Sequence, residues 1–141
     1  MSLAAQARAL VQAGDRGSLA TLCDGFPFAS LVLYAAGERG HPIFLLSGLD
    51  VHAQNLGRDP RASLLVTGAP SLDAPRVTLI GSARPVTQSM RESQAYLARH
   101  PEARAWSALG DFAFYRLEPE RVYYVGGFGI AGWAPISEYH S

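Results

Sequence analysis

Residues 18–35, SLATLCDGFPFASLVLYA, decide the fold class. Two short apolar runs, Ser18 to Cys23 and Phe28 to Ala35, flank Asp24-Gly25, a pair that accepts the positive φ angles of a tight hairpin turn. The same rhythm continues outward. A turn from Gly37 to Pro42 leads into Ile43-Phe44-Leu45-Leu46, Ala62 to Thr67 reads as a strand, and Gly68 to Pro75 is a loop. Arg76 to Val86 reads as a longer strand. Phe112 to Leu117 alternates, and Arg121 to Val125 is expected to pair with it as a last hairpin. Helical spacing occurs at Leu3, Ala4, Ala7, Leu10 and Val11, stopping at Gly14. Asp50 caps a short helix through Leu56, ended by Gly57 and Pro60. Ser89 with Glu92 forms a capping box that opens a helix through about Arg99, and Pro101 starts a further turn or two carrying Trp106. Six or seven strands with antiparallel-type turns and two or three helices give a mainly β (α+β) chain. The expected architecture is a small barrel with flanking helices, one domain over residues 1–141.

Composition narrows the chemistry. The chain of 141 residues is 48% hydrophobic, enough for one core, and twelve basic residues balance twelve acidic ones. That balance gives no field favouring nucleic acid or an anionic membrane. All the basic residues are arginine. Without lysine there is no Schiff base and no P-loop lysine, which excludes pyridoxal-phosphate enzymes and Walker-type NTPases. An anionic ligand must therefore be held by Arg, His, hydroxyls or backbone N–H groups. A biased genomic base composition would produce the same arginine preference. Cys23 is alone, so an intramolecular disulfide and a cysteine zinc site are both excluded; its apolar run predicts a buried thiol. No apolar stretch reaches the length of a membrane span and no signal-peptide pattern opens the chain, so a cytoplasmic location is expected.

Two motifs carry chemistry. Gly127-Phe128-Gly129-Ile130-Ala131-Gly132 matches G-x-G-x-x-G, yet a dinucleotide fold needs a helix and a second strand afterwards, and the following residues include Trp133 and Pro135. That reading fails. It leaves a glycine segment bearing Phe128 and Trp133, suited to covering its own barrel, a partner or a ligand. The second motif is Leu45-Leu46-Ser47-Gly48-Leu49-Asp50-Val51-His52, with Asn55 beyond. A strand ends, a hydroxyl follows and a helix begins, offering free N–H groups to a phosphate that Ser47 and His52 could supplement. The competing reading is an ordinary capped helix, because Asp50 at its start repels an anion.

The runs LLSGLDVHAQNLGRDPRASLLV, RVTLIGSARPV, YLARHPEARAW and FAFYRLEPERVYYVGGFGIAGW resemble the pyridoxamine-phosphate-oxidase-like flavin-binding split barrels. The branch they resemble most includes haem-utilisation proteins of the HugZ type. The similarity extends from about Arg16 to Trp133. It implies a six-stranded antiparallel split β-barrel working as a homodimer, with two FMN sites built from both subunits. By position, Ala29, Ser30, Leu31 and Val32 would lie along the isoalloxazine ring. Leu46, Ser47, His52 and Asn55 would surround the phosphate, and Arg76 would contact the ring. The tail with Phe128 and Trp133 would approach from the partner. Where the vitamin-forming oxidases carry an Arg and an Arg-Lys pair, this chain has Ser30, Val51 and His52. That argues against pyridoxine phosphate as substrate.

Three functions are compatible with these residues. One is an FMN-dependent oxidoreductase acting on a small-molecule substrate or electron donor, with no side chain identifiable as its catalytic acid or base. Another is a haem-binding or haem-degrading protein using His41, His52, His100 or His140 as axial ligand. His41 and His140 read as surface residues, and His100 as the cap of a helix end. The last is a non-catalytic carrier, since a barrel scaffold does not determine a reaction.

Overall fold

The computed structural model describes residues 1–86 and 90–141; Ser89, and with it the capping box, lies outside the described residues. Eight strands form one antiparallel sheet curled into a split barrel: β1 Arg16–Cys23, β2 Phe26–Leu33, β3 Ala35–Ala36, β4 Pro42–Ser47, β5 Arg61–Thr67, β6 Arg76–Pro85, β7 Phe112–Gly127 and β8 Ile130–Ala134. Their order is β2-β1-β5-β6-β7-β4-β3, with β8 also on β7. Six long strands thus make the expected barrel, and the two-residue β3 and the folded-back β8 extend it. The helices are α1 Leu3–Ala13, α2 Val51–Arg58, α3 Met90–Arg99, α4 Arg104–Ser107 and α5 Ile136–His140.

The opening hairpin forms as its turn chemistry requires. Asp24 and Gly25 take φ of 51° and 84°, and the strands pair from Arg16↔Leu33 to Cys23↔Phe26. Alternation then fills the barrel with Leu19 from β1, Leu64 and Val66 from β5, and Val77 and Leu79 from β6, all fully buried. Helix α1, capped by Ser2, lays Ala4, Ala7 and Val11 into the same cluster. Phe44 and Leu46 of β4 join it from the other side. Outside β4, a smaller cluster of Ala35, Ile43, Tyr96 and Ala103 seats α3. The single thiol, Cys23, sits at the end of β1 and is half-exposed rather than buried.

The expected last hairpin is instead one continuous strand. Phe112 to Gly127 runs unbroken, pairing with β4 through Phe112–Arg116, with β6 from Tyr115 to Val125, and with β8 from Val122 to Gly127. The break in the sequence pattern is a bulge. Gly81 pairs with Pro119 while Ile80 pairs with Arg121, so Glu120 is an extra residue. The buried side chains consequently change phase, from Tyr115, Leu117 and Pro119 to Val122 and Tyr124. Proline, which has no N–H for the ladder, is tolerated at such a position. The glycine-rich segment turns β7 back into β8, confirming that it is not a dinucleotide loop.

Candidate functional site

The site begins at Thr21, a hydroxyl on a core-facing position of β1 that is 1% exposed. Helix α2 lies against this strand because Asp50 caps it, accepting from the His52 N–H at 2.7 Å. Its apolar face then buries Ala53 and Leu56, and carries His52 and Asn55 into the barrel wall, each only 2% exposed. Both ring nitrogens of His52 are engaged. Nδ1 lies 2.7 Å from Thr21 Oγ1, and Nε2 lies 2.7 Å from Ser30 Oγ on β2. Asn55 Nδ2 donates to the same Thr21 oxygen at 3.0 Å, and the Phe28 ring packs edge-on to the imidazole at 5.3 Å. A buried polar chain thus runs Asn55–Thr21–His52–Ser30 and ends on a half-exposed hydroxyl.

Strand β2 itself bonds to β1 along one side only. It is apolar on both faces and exposes both: Phe26 (76%) and Phe28 share the face of Ser30, while Leu31 (69%) and Leu33 occupy the other with Ala29. An open apolar edge of this kind marks a candidate interaction surface. Val32 is half-buried.

Around the start of α2 the charge is negative. Ser47 Oγ donates to Asp111 at 3.0 Å and accepts from the Leu49 N–H at 3.1 Å, beside the Asp50 cap. Leu46 is buried in the barrel core. The other sequence-derived residues lie elsewhere in the protomer. Arg76 opens β6 at the end of the β5–β6 ladder opposite Ala62, the pairing partner of Thr21, and its guanidinium donates to the Leu72 carbonyl at 3.0 Å. Next to it, through Val125↔Ala131, comes the β7–β8 turn with Phe128 fully out in solvent. Trp133 is half-exposed, edge-on to Tyr123 with ring centres 5.0 Å apart, and under the Arg121 guanidinium at 4.0 Å. The residues therefore form two groups. Ala29–Val32, Leu46, Ser47, His52 and Asn55 gather about α2, and Arg76, Phe128 and Trp133 lie at the far end.

Two histidines expected at the surface are found together. His41 Nε2 and His140 Nε2 are 3.0 Å apart and half-buried, which ties α5 to the turn before β4. His100, expected as a helix cap, is buried and donates from Nε2 to the Tyr34 carbonyl at 2.7 Å, with no capping bond from its side chain. A cavity of about 720 Å³ opens beside this region, between the 38–40 turn, α3 and β7, with Arg91, Glu92, Arg116 and Glu118 on its walls. Two of its cations are paired with its carboxylates, Arg116 with Glu92 and Glu118 at 2.7 Å each and Arg91 with Glu38, and Arg39 lines it as well.

Burial pushes His41 down to about 4, helped by His140 and opposed by Glu118. Burial also lowers His52 against the pull of Asp50, and lowers His140 with help from Arg39 and Arg8. All three rings are neutral in the fold at pH 7. Below about pH 6.5 the unfolded chain takes up protons that the native rings refuse, so stability falls with pH; above it the rings contribute no slope. The expected result is a urea midpoint that drops between about pH 6.5 and 4.5, above the carboxylate range, with a slope that His41→Gln reduces. A midpoint constant across that window would contradict the neutral assignment.

Comparison with known proteins agrees with this architecture. The chain is 40% identical over 111 residues to a chloroplastic haem oxygenase of Arabidopsis thaliana named HOZ, covering 77% of this chain and 34% of that protein. It is 26% identical over 146 residues to mouse protein CREG1, covering 87% of this chain and 66% of that protein. The structure of a haem-binding protein from Mycobacterium smegmatis superposes with a TM-score of 0.91 at 34% identity, over 99% of this chain and 60% of the other. The chain thus spans about a third of the plant protein and three fifths of the mycobacterial one. A candidate pyridoxamine 5'-phosphate oxidase from Listeria innocua shares the fold at 15% identity, with a TM-score of 0.73 over 89% of this chain and all of that one. The split barrel and the likeness to haem-utilisation proteins implied by the sequence runs are both found. The family model described as CREG, beta-barrel matches residues 1–141, and the chain belongs to that CREG β-barrel family.

Proposed function

We propose that this chain binds haem as a homodimer, on the face of β2 that carries Phe26, Phe28 and Ser30. The observation that carries the choice is the chemistry at the start of α2. A flavin phosphate would meet Asp50 and a Ser47 already bonded to Asp111, while His52 and Asn55 are buried and occupied with Thr21 and Ser30. A dianion there lacks the cationic partner it needs. Haem makes a different demand, a flat apolar surface with a polar edge. Phe26 and Phe28 supply that surface and Ser30 the edge, and the haem proteins from Arabidopsis and Mycobacterium support the choice. His52 is the histidine that adjoins this face, and both its ring nitrogens are bonded, while His41 and His140 pair with each other away from it at the turn before β4. No histidine of the same protomer is therefore assigned as axial ligand.

Dimerisation would cover the other face of β2, with Leu31 and Leu33, and would bring Arg76, Phe128 and Trp133 of one protomer toward the α2 group of the other. In one protomer these two groups lie apart. Flavin binding remains the second reading, favoured by the fold shared with the Listeria protein and by the free N–H groups at the start of α2. A hemin titration followed by absorbance, with the molar mass read by light scattering, decides between them. The expected result is a Soret shift saturating at one hemin per protomer, on a particle of two chains. FMN binding with no response to hemin establishes the flavin reading instead, and a protein that binds neither as a monomer overturns both.

A further inference from the structure

A Ser hydroxyl 2.7 Å from a His nitrogen, with a third polar group on the other side of the ring, has the outline of a hydrolase dyad. Counting hydrogens reverses that reading. The Asn55 amide nitrogen only donates, so Thr21 Oγ1 accepts from it. Thr21 has one hydroxyl hydrogen, is 1% exposed, and among the described residues has one other polar contact within bonding distance, His52 Nδ1. Were Nδ1 protonated, Thr21 would accept twice and its own hydrogen would be stranded in the barrel wall, an arrangement that folded proteins avoid. Thr21 therefore donates to Nδ1. A neutral imidazole then has its hydrogen on Nε2, which donates to Ser30 Oγ.

We infer that Asn55, Thr21 and His52 form a one-way relay of hydrogen-bond donors that turns the Ser30 hydroxyl outward as a donor to whatever covers β2. Ser30 is a binding residue and not a nucleophile, because the nitrogen facing it holds a hydrogen and cannot accept one. His52, Thr21 and Asn55 are positioning residues acting through it. The ligand must bring a hydrogen-bond-accepting oxygen to this point, and a carboxylate is the strongest candidate. That the carboxylate is a haem propionate rests on the proposed function; the direction of the relay does not.

The relay has a readout independent of any ligand. In ¹⁵N-histidine spectra of the unliganded protein, His52 is expected as the Nε2–H tautomer, with Nδ1 bare. Asn55→Asp places an acceptor behind Thr21, reverses the chain and moves the hydrogen to Nδ1. A wild-type His52 protonated on Nδ1 overturns the relay, and this holds even if the variant does not fold. For the ligand, Ser30→Ala is expected to weaken hemin binding by about tenfold or more, the range for a hydrogen bond to a charged group. Unchanged hemin affinity with the Nε2–H tautomer intact would remove the carboxylate assignment alone. Absence of hemin binding in the wild type would refute the proposed function and leave the relay standing.

Discussion

Tyr139→Ala is expected to lower the free energy of unfolding by about 3–5 kcal/mol, the range for deleting a fully buried aromatic ring. Tyr139 is 0% exposed although it lies on α5, the outermost element of the chain. Its hydroxyl donates to the Gly40 carbonyl at 2.7 Å, and its ring packs in the main cluster with the Arg8 guanidinium 5.8 Å from its centre. Arg8 also donates to the Tyr139 carbonyl at 2.7 Å and to the Ser141 carbonyl at 3.2 Å, so α1 and α5 are fastened together around this side chain. The truncation opens a cavity and frees α5. Tyr139→Phe keeps the ring and strands one buried carbonyl, a smaller loss of about 1–2 kcal/mol. Urea denaturation of the two variants checks the ordering. Equal stability of wild type and Tyr139→Ala would show that α5 is not part of the cooperative unit.

Gly81→Ala is expected to be as damaging, by about 3 kcal/mol or more, although it adds a single carbon. A Cβ at Gly81 would lie 2.0 Å from the Glu118 carbonyl oxygen and 3.0 Å from Pro119 Cα. Those atoms are backbone of the two residues just before the bulge, so no side chain can swing away. Relief requires straightening β7. That would reverse the phase of everything beyond Glu120 and turn Val122 and Tyr124 out of the core. The neighbouring Ser82→Ala, half-buried on the same strand, serves as the control and should cost under 1 kcal/mol. Thermal unfolding of both variants measures the difference, and a Gly81→Ala protein melting with the control would contradict the crowding.

The same bulge marks where the sequence stopped being readable. Alternation identified the strands wherever one phase persists, as in Leu64 and Val66 or Val77 and Leu79. Across Glu118-Pro119-Glu120 the phase changes, and a break in period looks like a turn when proline stands at its centre. Helix α1 was legible from its spacing and α2 from its Asp50 cap, whereas α5, which has no side-chain cap, gave no such signal. The polar chain at α2 was half legible. Spacing placed His52 and Asn55 on one side of the helix but could not say whether that side met solvent or the barrel. Thr21 was the overlooked signal, a lone hydroxyl two residues after Leu19 on the core-facing phase. Its burial alone implies polar partners. The His41–His140 contact joins residues far apart in sequence, and no local pattern reports it. Neither did composition show that Ser47 would take Asp111 as its partner, because that meeting depends on the β4–β7 register.

The position of β7 also bears on how the protein is made. β4 is complete at Ser47, yet the strand it pairs with begins at Phe112. During synthesis the first hairpin can close as it emerges, and β5 finds β1 soon after. β4 meanwhile has a bare edge and an apolar surface, Ile43, Phe44 and Leu46, until the residues from Phe112 onward leave the ribosome. Such a nascent intermediate is prone to aggregate, and its folding waits on a long-range closure and not on local pairing. One strand that gathers β4, β6 and β8 makes the finished barrel cooperative. It also leaves the unfinished one dependent on whatever shields β4 in the interval.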